Sequence, residues 1–509
     1  IMGWRDEAGG WRVETSAMRV QGTDYAADLR GGFWFQPNGR RPWINLAAKL
    51  DDAPMSAGKR FWIHSMMSRG ATDWLDMALA GGHVRGGQGL VVGDLDDWPF
   101  DGNDGRFEAS ARIDRGQIRF QEDWPLMDEV DADIRFLANG FRIEGRGVLA
   151  GVQVQRFDAG IADFHDSLLT VNAASQGDAA KLVQLLRQSP LHAAYGSTLD
   201  NLVARGAATV DFGLRQPLRQ GRGRKELRGS VQLSDARLQD KRWDLQFDGV
   251  NGRAEFTDGG FSAERLAVRH EGHPGELSLR AGEHVKDPLQ VFEAELAAPL
   301  DAGRLLNRAS EVAWLKPYMH GTSLWNVGVS IPRMPAGSRA EPPTALSLRS
   351  DLVGTVLELP APLDKVSAVP LATTVKAPLP MDSGRIDVAF GQRLALAAAS
   401  RNGRTGVQIT MGSSRVDRPP PQHGLDINGR SSSLDALEWI SLVRGRDDVT
   451  EATAVAGAAN AATQVGTTTA AAGAAPTLAA GAAPAEDPLP LNQVDLQVGG
   501  LLLLGGVFE

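Results

Sequence analysis

The sequence predicts a mainly β protein: an elongated, repetitive antiparallel sheet with a few short helices. The first observation is that, within residues 130–137, apolar and charged residues alternate strictly from Val130 to Phe136. A period of two is typical of a strand with one dry and one wet face. It places Ile134 and Phe136 on the apolar face and Arg135 on the polar face. The second observation is that the same pattern returns 120 residues later.

A hairpin is expected directly after this strand. Asn139 and Gly140 predict a two-residue turn, because both residues tolerate the left-handed backbone conformation that such turns require. Beyond the turn, Phe141 and Ile143 alternate with charged residues. We therefore expect a second strand whose apolar face continues that of the first.

The hairpin is repeated along the chain. Its second copy lies at an offset of 120 residues, and a third unit begins near Gly321 with an opening that matches the second at an offset of 115. Several matches in register predict an array of strand meanders. The matched residues are Val130 with Val250, Phe136 with Phe256, Gly140 with Gly260, Phe141 with Phe261, and Val210, Phe212 and Leu214 with Trp325, Val327 and Val329.

These repeats divide the sequence into six predicted segments. Residues 1–70 hold the incoming strands of a preceding repeat, and residues 71–190, 191–310 and 311–448 are three repeat units. Residues 449–487 consist largely of Ala, Thr and Gly with almost no charge or bulk, so they predict a flexible linker. Residues 488–509 begin a further, truncated repeat.

Short helices are expected between some of the strands. An Asp-Ala pair at Asp178, at Asp301 and at Asp435 begins a segment of helical character. Thr72 is predicted to be the N-cap of a further helix, which Gly81-Gly82 would close. These few helices are too short to cover the apolar face of a sheet that grows with each repeat.

Composition limits the classes of function. The chain has 509 residues, a net charge of -9 and no cysteine. A nucleic-acid partner is not expected, because binding phosphates of the backbone needs a basic surface. Disulfides, thiolate metal sites and cysteine catalysis are excluded. No apolar run is long enough for a transmembrane helix, so any membrane anchor is expected outside this segment.

The acidic loop that contains Asp96, Asp97, Asp101 and Asp104 carries the oxygen ligands that calcium prefers. Twelve residues counted from Asp101 end at Arg112, where an EF-hand has Glu. A solvated turn is therefore the preferred interpretation.

Two further acids, Asp131 and Asp133, share one strand face and resemble a catalytic carboxylate pair. They share that face with Arg135 and are not repeated elsewhere, so a wet outer face is preferred.

No cofactor, metal or nucleophile motif is found in the sequence. His270 and His273 come closest to ligand spacing, but the adjacent Gly272 and Pro274 favour a turn. A basic loop between two strands is interpreted as a solvated hairpin, with contact to anionic head groups as the alternative. Its residues are Arg215, Arg219, Arg222, Arg224, Lys225 and Arg228. We therefore predict no catalytic residue, no metal and no cofactor.

Three arrangements can cover or use the repeated apolar face. A second sheet packs on it, the sheet closes into a solenoid, or it forms a trough with a dry inside. Periodicity does not choose among them. A trough leaves a contiguous apolar strip, and such strips usually have a ligand. A structural or adhesive stalk without lipid is the alternative for a closed form.

A set of motifs in a fixed order resembles the central region of the YhdP family, AsmA-like relatives of TamB in Gram-negative bacteria. The resemblance covers roughly residues 30–445, and the Ala-rich segment departs from the pattern. The motifs are Gly-Asp-Leu at 93–95, Trp-Pro-Phe at 98–100, Gly-Arg-Phe at 105–107, Trp-Pro at 124–125, Ser-Pro-Leu at 189–191, Trp325, Ser-Asp-Leu-Val-Gly at 350–354 and Leu-Pro-Ala-Pro-Leu-Asp-Lys at 359–365.

The resemblance implies that the sheet is curled into a groove that carries phospholipid through the periplasm. Acyl chains would lie in the groove, and parts outside this segment would reach the inner and outer membranes. The family has no catalytic residues to transfer. The residues predicted to line the groove are Val130, Ala132, Ile134, Phe136, Phe141, Ile143, Trp243, Leu245, Phe247, Val250, Ala254, Phe256, Phe261, Trp325, Val327 and Val329.

Overall fold

The computed structural model describes all residues except 6–8, 62–68, 101, 103, 220–222, 243–244, 308–315, 335–336, 338–341, 382–383, 402, 440–489, 504–505 and 509. The chain divides into two compact units. Unit 1 comprises Ile1–Gly272 and Ser278–His284, and unit 2 comprises His273–Leu277 and Val285–Glu509. The predicted mainly β class with few short helices is confirmed. The predicted repeat boundaries stay a prediction, and the linker 449–487 lies outside the described residues.

Unit 1 is a meander of strands joined in chain order. Each long strand pairs antiparallel with the next one, and the short β5 also pairs with β6. The strands are β1 Met2–Arg5, β2 Trp11–Gln21, β3 Ala26–Phe35, β4 Trp43–Leu50, β5 Ala53–Pro54, β6 Leu79–Asp94, β7 Arg106–Ile118, β8 Met127–Leu137, β9 Gly140–Leu149, β10 Val152–Ile161, β11 Leu168–Asp178, β12 Leu202–Pro217, β13 Glu226–Asp240, β14 Leu245–Thr257 and β15 Gly260–His270.

Among the described residues of unit 1, three α-helices lie between the strands: α1 Arg69–Ala78, α2 Ala179–Arg187 and α3 Leu191–Asn201. The predicted start of α2 is confirmed, because the Asp178 carboxylate accepts a hydrogen bond from the Ala180 N–H at 2.7 Å. The predicted N-cap at Thr72 is wrong. Thr72 lies inside α1, where its hydroxyl donates to the Arg69 carbonyl at 2.8 Å, so the helix begins three residues earlier.

The turn between β8 and β9 also differs from the prediction. The register pairs Leu137 with Gly140, so Ala138 and Asn139 form the turn. Ala138 adopts the left-handed conformation with φ 47°. The Asn139 side chain donates instead to the Asp163 carboxylate at 2.7 Å, which ties this turn to the next hairpin. The expected direct pairing of Phe136 with Phe141 is confirmed.

β-Bulges interrupt neighbouring strands of unit 1 at matching positions. The registers shift after Gly81 in β6, after Ile113 in β7 and after Asp128 in β8, and again in β12, β13 and β14. Left-handed residues mark these points: Gly82, Arg115, Glu129, Gly206, Asp235 and Gly249. Because a bulge bends its strand and increases its twist, the aligned bulges bend the sheet toward its apolar face.

The main core of unit 1 lies at this bend. It joins side chains from both sides of the bulges, such as Met127 before and Ala132 after the bulge of β8. Met55, from the short segment between β5 and α1, covers the same cluster. Val130 lies at the centre with no exposed surface. The buried members are Met55, Ile113, Met127, Val130, Ala132, Val154 and Phe157.

The strand β16, His273–Gly282, is divided between the units, and unit 2 contains the remaining strands. These are β17 Gln290–Asp301, β18 Met319–Pro332, β19 Thr344–Ser350, β20 Thr355–Leu357, β21 Thr373–Leu379, β22 Arg385–Phe390, β23 Leu394–Arg401, β24 Arg404–Met411, β25 Gly424–Ser431, β26 Leu434–Asp435, β27 Leu491–Val498, β28 Leu501–Leu503 and β29 Gly506–Phe508, with α4 Ala302–Asn307 after β17.

Strand pairing in unit 2 departs from the simple meander. From β17 to β19 and from β21 to β24 neighbouring strands are antiparallel, β19 pairs with β21, and β20 pairs back onto β18. The pairs β24–β25 and β25–β27 are parallel. Parallel neighbours need a crossover, which residues 412–423 supply between β24 and β25. A small separate sheet contains β26, β28 and β29.

Candidate functional site

The outer face of unit 1 is covered by ion pairs between neighbouring strands. The two acids considered as a catalytic pair lie there: Asp131 accepts from Arg146 at 3.0 Å, and Asp133 lies 3.9 Å from Arg112. The hydrogen bond from Arg146 holds the pKa of Asp131 below its usual value, and the Arg115 backbone N–H lowers it further. Both carboxylates belong to a solvated face of ion pairs, and the lowered pKa of Asp131 is the opposite of what a general acid needs.

The inner face changes from buried to half-buried along each strand. In β8, Val130 and Ala132 are buried at the bend, whereas Ile134 and Phe136 are half-buried toward the hairpin end. The bend explains this gradient, because there side chains from both sides of the bulges pack on each other. Toward the hairpin ends the apolar face is therefore partly open to solvent.

Three phenylalanines form a stack at the hairpin end of this open region. The ring centroids of Phe136 and Phe141 are 6.0 Å apart, and Phe141 stacks on Phe164 at 6.0 Å with an angle of 20°. Phe164 is 39% exposed although it packs on an aromatic ring. It follows β10, and its backbone N–H donates to the Asn139 carbonyl at 2.8 Å.

Sequence reasoning missed Phe164 because it lies in a connecting loop, outside the alternating pattern. Its position depends on the turn between β8 and β9. Asn139 binds the Asp163 carboxylate, which also accepts from the His165 backbone N–H at 2.7 Å. The hydrogen bond from the His165 N–H lowers the pKa of Asp163. The only available signal was the polar set Asn139, Asp163 and His165 beside aromatic residues.

The second copy of the hairpin shows the same gradient. Phe247 and Val250 are buried near the bulges of β14, whereas Ala254 and Phe256 are half-buried. Phe256 pairs directly with Phe261 of β15, as Phe136 pairs with Phe141.

The predicted groove residues therefore fall into three groups. The half-buried residues remain the candidates for ligand contact, and the buried ones are closed to solvent. Trp243 lies outside the described residues. The buried group is Val130, Ala132, Phe247, Val250 and Trp325; the half-buried group is Ile134, Phe136, Phe141, Ile143, Leu245, Ala254, Phe256, Phe261, Val327 and Val329.

Part of the apolar face of unit 2 is covered by the chain itself. We call residues 357–365 the strap. Leu359 and Leu363 of the strap pack in one buried cluster with Leu394 of β23 and Met411 of β24. The strap is fixed at one point by Trp439, whose indole Nε1 donates to the Ala361 carbonyl at 2.9 Å. At these strands the face is not open.

A buried lysine holds the end of the strap. The Lys365 ammonium donates to the carbonyls of Leu352, Thr355 and Val366 at 2.7, 2.6 and 3.0 Å. Burial lowers the pKa of Lys365, and the Asp351 carboxylate opposes that shift. The three carbonyl acceptors also favour the ammonium form. Lys365 therefore serves to fix the strap rather than to react.

The other chemical candidates have structural partners. Asp96 lies 3.4 Å from Arg40, and Asp101 lies outside the described residues. His270 is buried, with Nδ1 3.0 Å from the Gln246 carbonyl. Within the described residues, no three His, Asp or Glu side chains are grouped to hold a metal ion. Among the helices described, none combines the length and apolar character that crossing a bilayer requires.

Fold and site together define a repetitive open-sheet β protein whose distinctive surface is an apolar inner face opposite a charged outer face. The model of the family described as YhdP protein matches residues 2–509. The chain therefore belongs to the YhdP family, as the sequence motifs indicated.

A curated relative supports the same assignment. The chain is 24% identical over 458 residues to the protein named "Intermembrane phospholipid transporter YhdP" from Escherichia coli (strain K12). The match covers 86% of this chain and 34% of the relative, so the chain spans about a third of that protein. No solved structure matches the chain.

Proposed function

We propose that this chain is a segment of an intermembrane phospholipid transporter, in which the half-buried inner face guides acyl chains through the periplasm. The carrying observation is the contrast between adjacent residues of β8: Phe136 belongs to the open aromatic stack, whereas Arg135 is exposed on the charged face. The name of the Escherichia coli relative supports phospholipid as the cargo. Attachment to the inner and outer membranes is assigned to parts outside this segment.

The physical role of the face is to lower a solvation barrier. Each methylene taken from an apolar phase into water costs about 0.8 kcal/mol, so a chain of about 16 carbons faces roughly 12 kcal/mol. Successive apolar sites on neighbouring strands replace this barrier by small steps between similar environments. The head group stays in water at the hairpin ends, where the face is open. No covalent chemistry is needed, and the proposal assigns no catalytic residue.

A pair of photo-crosslinkers tests the assignment of faces. The photoreactive residue is placed at Phe136 in one variant and at Arg135 in the other, so that position along the strand is matched and only the face differs. Lipid labelling at Phe136 is expected to exceed labelling at Arg135 severalfold. Equal labelling of the two positions would refute the assignment.

Lipid extraction separates this function from that of a stalk. The purified chain is extracted with organic solvent, and phospholipid is measured per mole of protein. We expect bound phospholipid in the unmodified chain. A variant with Phe136→Asp and Phe141→Asp should retain less of it. A structural or adhesive stalk predicts no phospholipid in either protein, and the strap over part of unit 2 is the observation that favours this second candidate.

A further inference from the structure

The hairpin of β12 and β13 carries a cluster of exposed cations. Five basic residues of this hairpin are described, all exposed, and within the described part of the chain none has a carboxylate partner. Glu226 pairs with Arg215 in the strand register without forming an ion pair. The five residues, called the basic hairpin below, are Arg215, Arg219, Arg224, Lys225 and Arg228.

This cluster contrasts with the charge pattern around it. The chain as a whole has a net charge of -9. On the outer face of unit 1, arginines commonly have a carboxylate on a neighbouring strand, as Arg142 has Asp158 at 2.6 Å and Arg85 has Asp114 at 2.6 Å. Cations held close together without such partners repel one another, so an anion placed among them is stabilised.

The same hairpin presents an apolar strip on the inner face. Val210, Phe212 and Leu214 are half-buried, and their register partners on β13 are Val231, Gly229 and Leu227. At about 3.4 Å per residue, the strip from Val210 to Leu214 is about 14 Å long. One leaflet of a bilayer is about 15 Å thick in its hydrocarbon part, so the strip matches one lipid tail in length. The polar end of such a lipid would then lie beyond Leu214, beside the loop cations Arg219, Arg224 and Lys225. Arg215 and Arg228 alternate onto the outer face of the same strands.

We propose that the loop cations of the basic hairpin, Arg219, Arg224 and Lys225, bind the phosphate of a phospholipid whose acyl chain lies on the strip from Val210 to Leu214. This inference rests on the proposed function and adds a head-group site to it. Guanidinium groups suit this role because their planar donors bind two phosphate oxygens at once. Lipids with a phosphate are therefore preferred over neutral lipids with the same tails.

The test compares two ligands that differ only in the head group. Phosphatidylglycerol and a diacylglycerol with identical acyl chains are delivered from cyclodextrin to the purified 509-residue chain, and both affinities are measured. The hairpin variant carries Arg219→Gln, Arg224→Gln and Lys225→Gln. The control variant carries Arg30→Gln, Lys49→Gln and Arg135→Gln, which remove the same charge from exposed positions elsewhere in unit 1.

We expect the hairpin variant to lose about tenfold of the preference for phosphatidylglycerol, because exposed charge contacts are each modest and three are removed. Its affinity for diacylglycerol and the preference of the control variant should not change. Added salt should reduce the preference of the unmodified chain.

An unchanged preference in the hairpin variant, or an equal loss in the control variant, would overturn the head-group site while leaving lipid carriage intact. Absence of binding by either lipid to the unmodified chain would instead contradict the proposed function. Inorganic phosphate is titrated alone as the third arm. Saturable binding as tight as that of phosphatidylglycerol would show that the site recognises free phosphate and not a lipid.

Discussion

Substitution of Lys365 tests whether the strap is a fixed cover over the apolar face of unit 2. Lys365→Met keeps most of the side-chain volume and removes the ammonium, whereas Lys365→Ala removes both. The ammonium bonds three carbonyls, of which those of Leu352 and Val366 also accept backbone N–H groups at 3.0 and 3.3 Å.

The expected loss of stability follows from these contacts. Two of the three carbonyls keep a backbone donor in Lys365→Met. We therefore count this variant as losing one hydrogen bond from a charged donor, which lowers the free energy of unfolding by about 1.5–3 kcal/mol. Lys365→Ala also removes three buried methylene groups at about 0.8 kcal/mol each, which lowers the free energy of unfolding by about 2 kcal/mol more. The difference between the two variants therefore separates the polar from the packing contribution.

Urea unfolding followed by tryptophan fluorescence measures both losses, and Trp439, whose indole bonds the strap directly, contributes to that signal. Lys376→Met is the matched control, since Lys376 is an exposed lysine of β21 in the same unit. The destabilised variants should also bind an apolar dye at the face that Leu359 and Leu363 cover. A Lys365→Met protein as stable as the unmodified chain would refute the reasoning, because desolvation of the ammonium would then outweigh its hydrogen bonds.

Two further substitutions test the bend of unit 1 and the polar network of unit 2. Val130→Ala should lower the free energy of unfolding by about 2 kcal/mol, because Val130 is fully buried, whereas Leu137→Ala at an exposed position should change it little. Hydrogen bonds from Asn428 and Thr410 hold the pKa of Asp417 below its usual value. Because this pKa is lower in the folded than in the unfolded chain, the ionised carboxylate stabilises the fold at pH values above the unfolded pKa, and this stability is lost as the pH falls through the folded pKa. In Asp417→Asn the free energy of unfolding should therefore fall less steeply with decreasing pH below about pH 4.

The sequence predicted the strands of unit 1 well because alternation is a local signal. Residues 130–137 lie within β8, and the restart at Phe141 lies in β9. The helix after Asp178 was also predictable, since its cap is a contact between residues two apart. The half-buried state of Phe136 was not predictable from the sequence, because it depends on which residues from distant strands pack at the bend.

The strap could not be predicted for the same reason. Its sequence contains two prolines with apolar residues, which indicate a break in strand structure but not the face that the segment covers. The role of Lys365 depends on carbonyls 10 and 13 residues away. The turn at Ala138 was misplaced by one residue, because Asn139 bonds the neighbouring loop and leaves the left-handed position to a residue with no preference for it.

The bend of unit 1 is carried by the backbone, and Glu129 allows this to be tested. Glu129 is exposed and adopts φ 51°, a conformation that costs a residue with a side chain roughly 1–2 kcal/mol. Glu129→Gly relieves that cost and adds about 0.5–1 kcal/mol of chain entropy to be lost on folding, so its stability should be equal or slightly higher. Glu129→Val should be less stable than the unmodified chain, since a β-branched side chain is disfavoured at positive φ.

Arg135→Val is the matched control for these variants in β8. Arg135 is exposed on the same strand and is not among the residues with positive φ, so this position should tolerate valine. Chemical unfolding compares the three variants with the unmodified chain. If Glu129→Val were tolerated as well as Arg135→Val, the left-handed conformation would not be required there. The bend would then have to come from side-chain packing, and the alignment of bulges across β6, β7 and β8 would no longer explain why the inner face is closed at Val130 and open at Phe136.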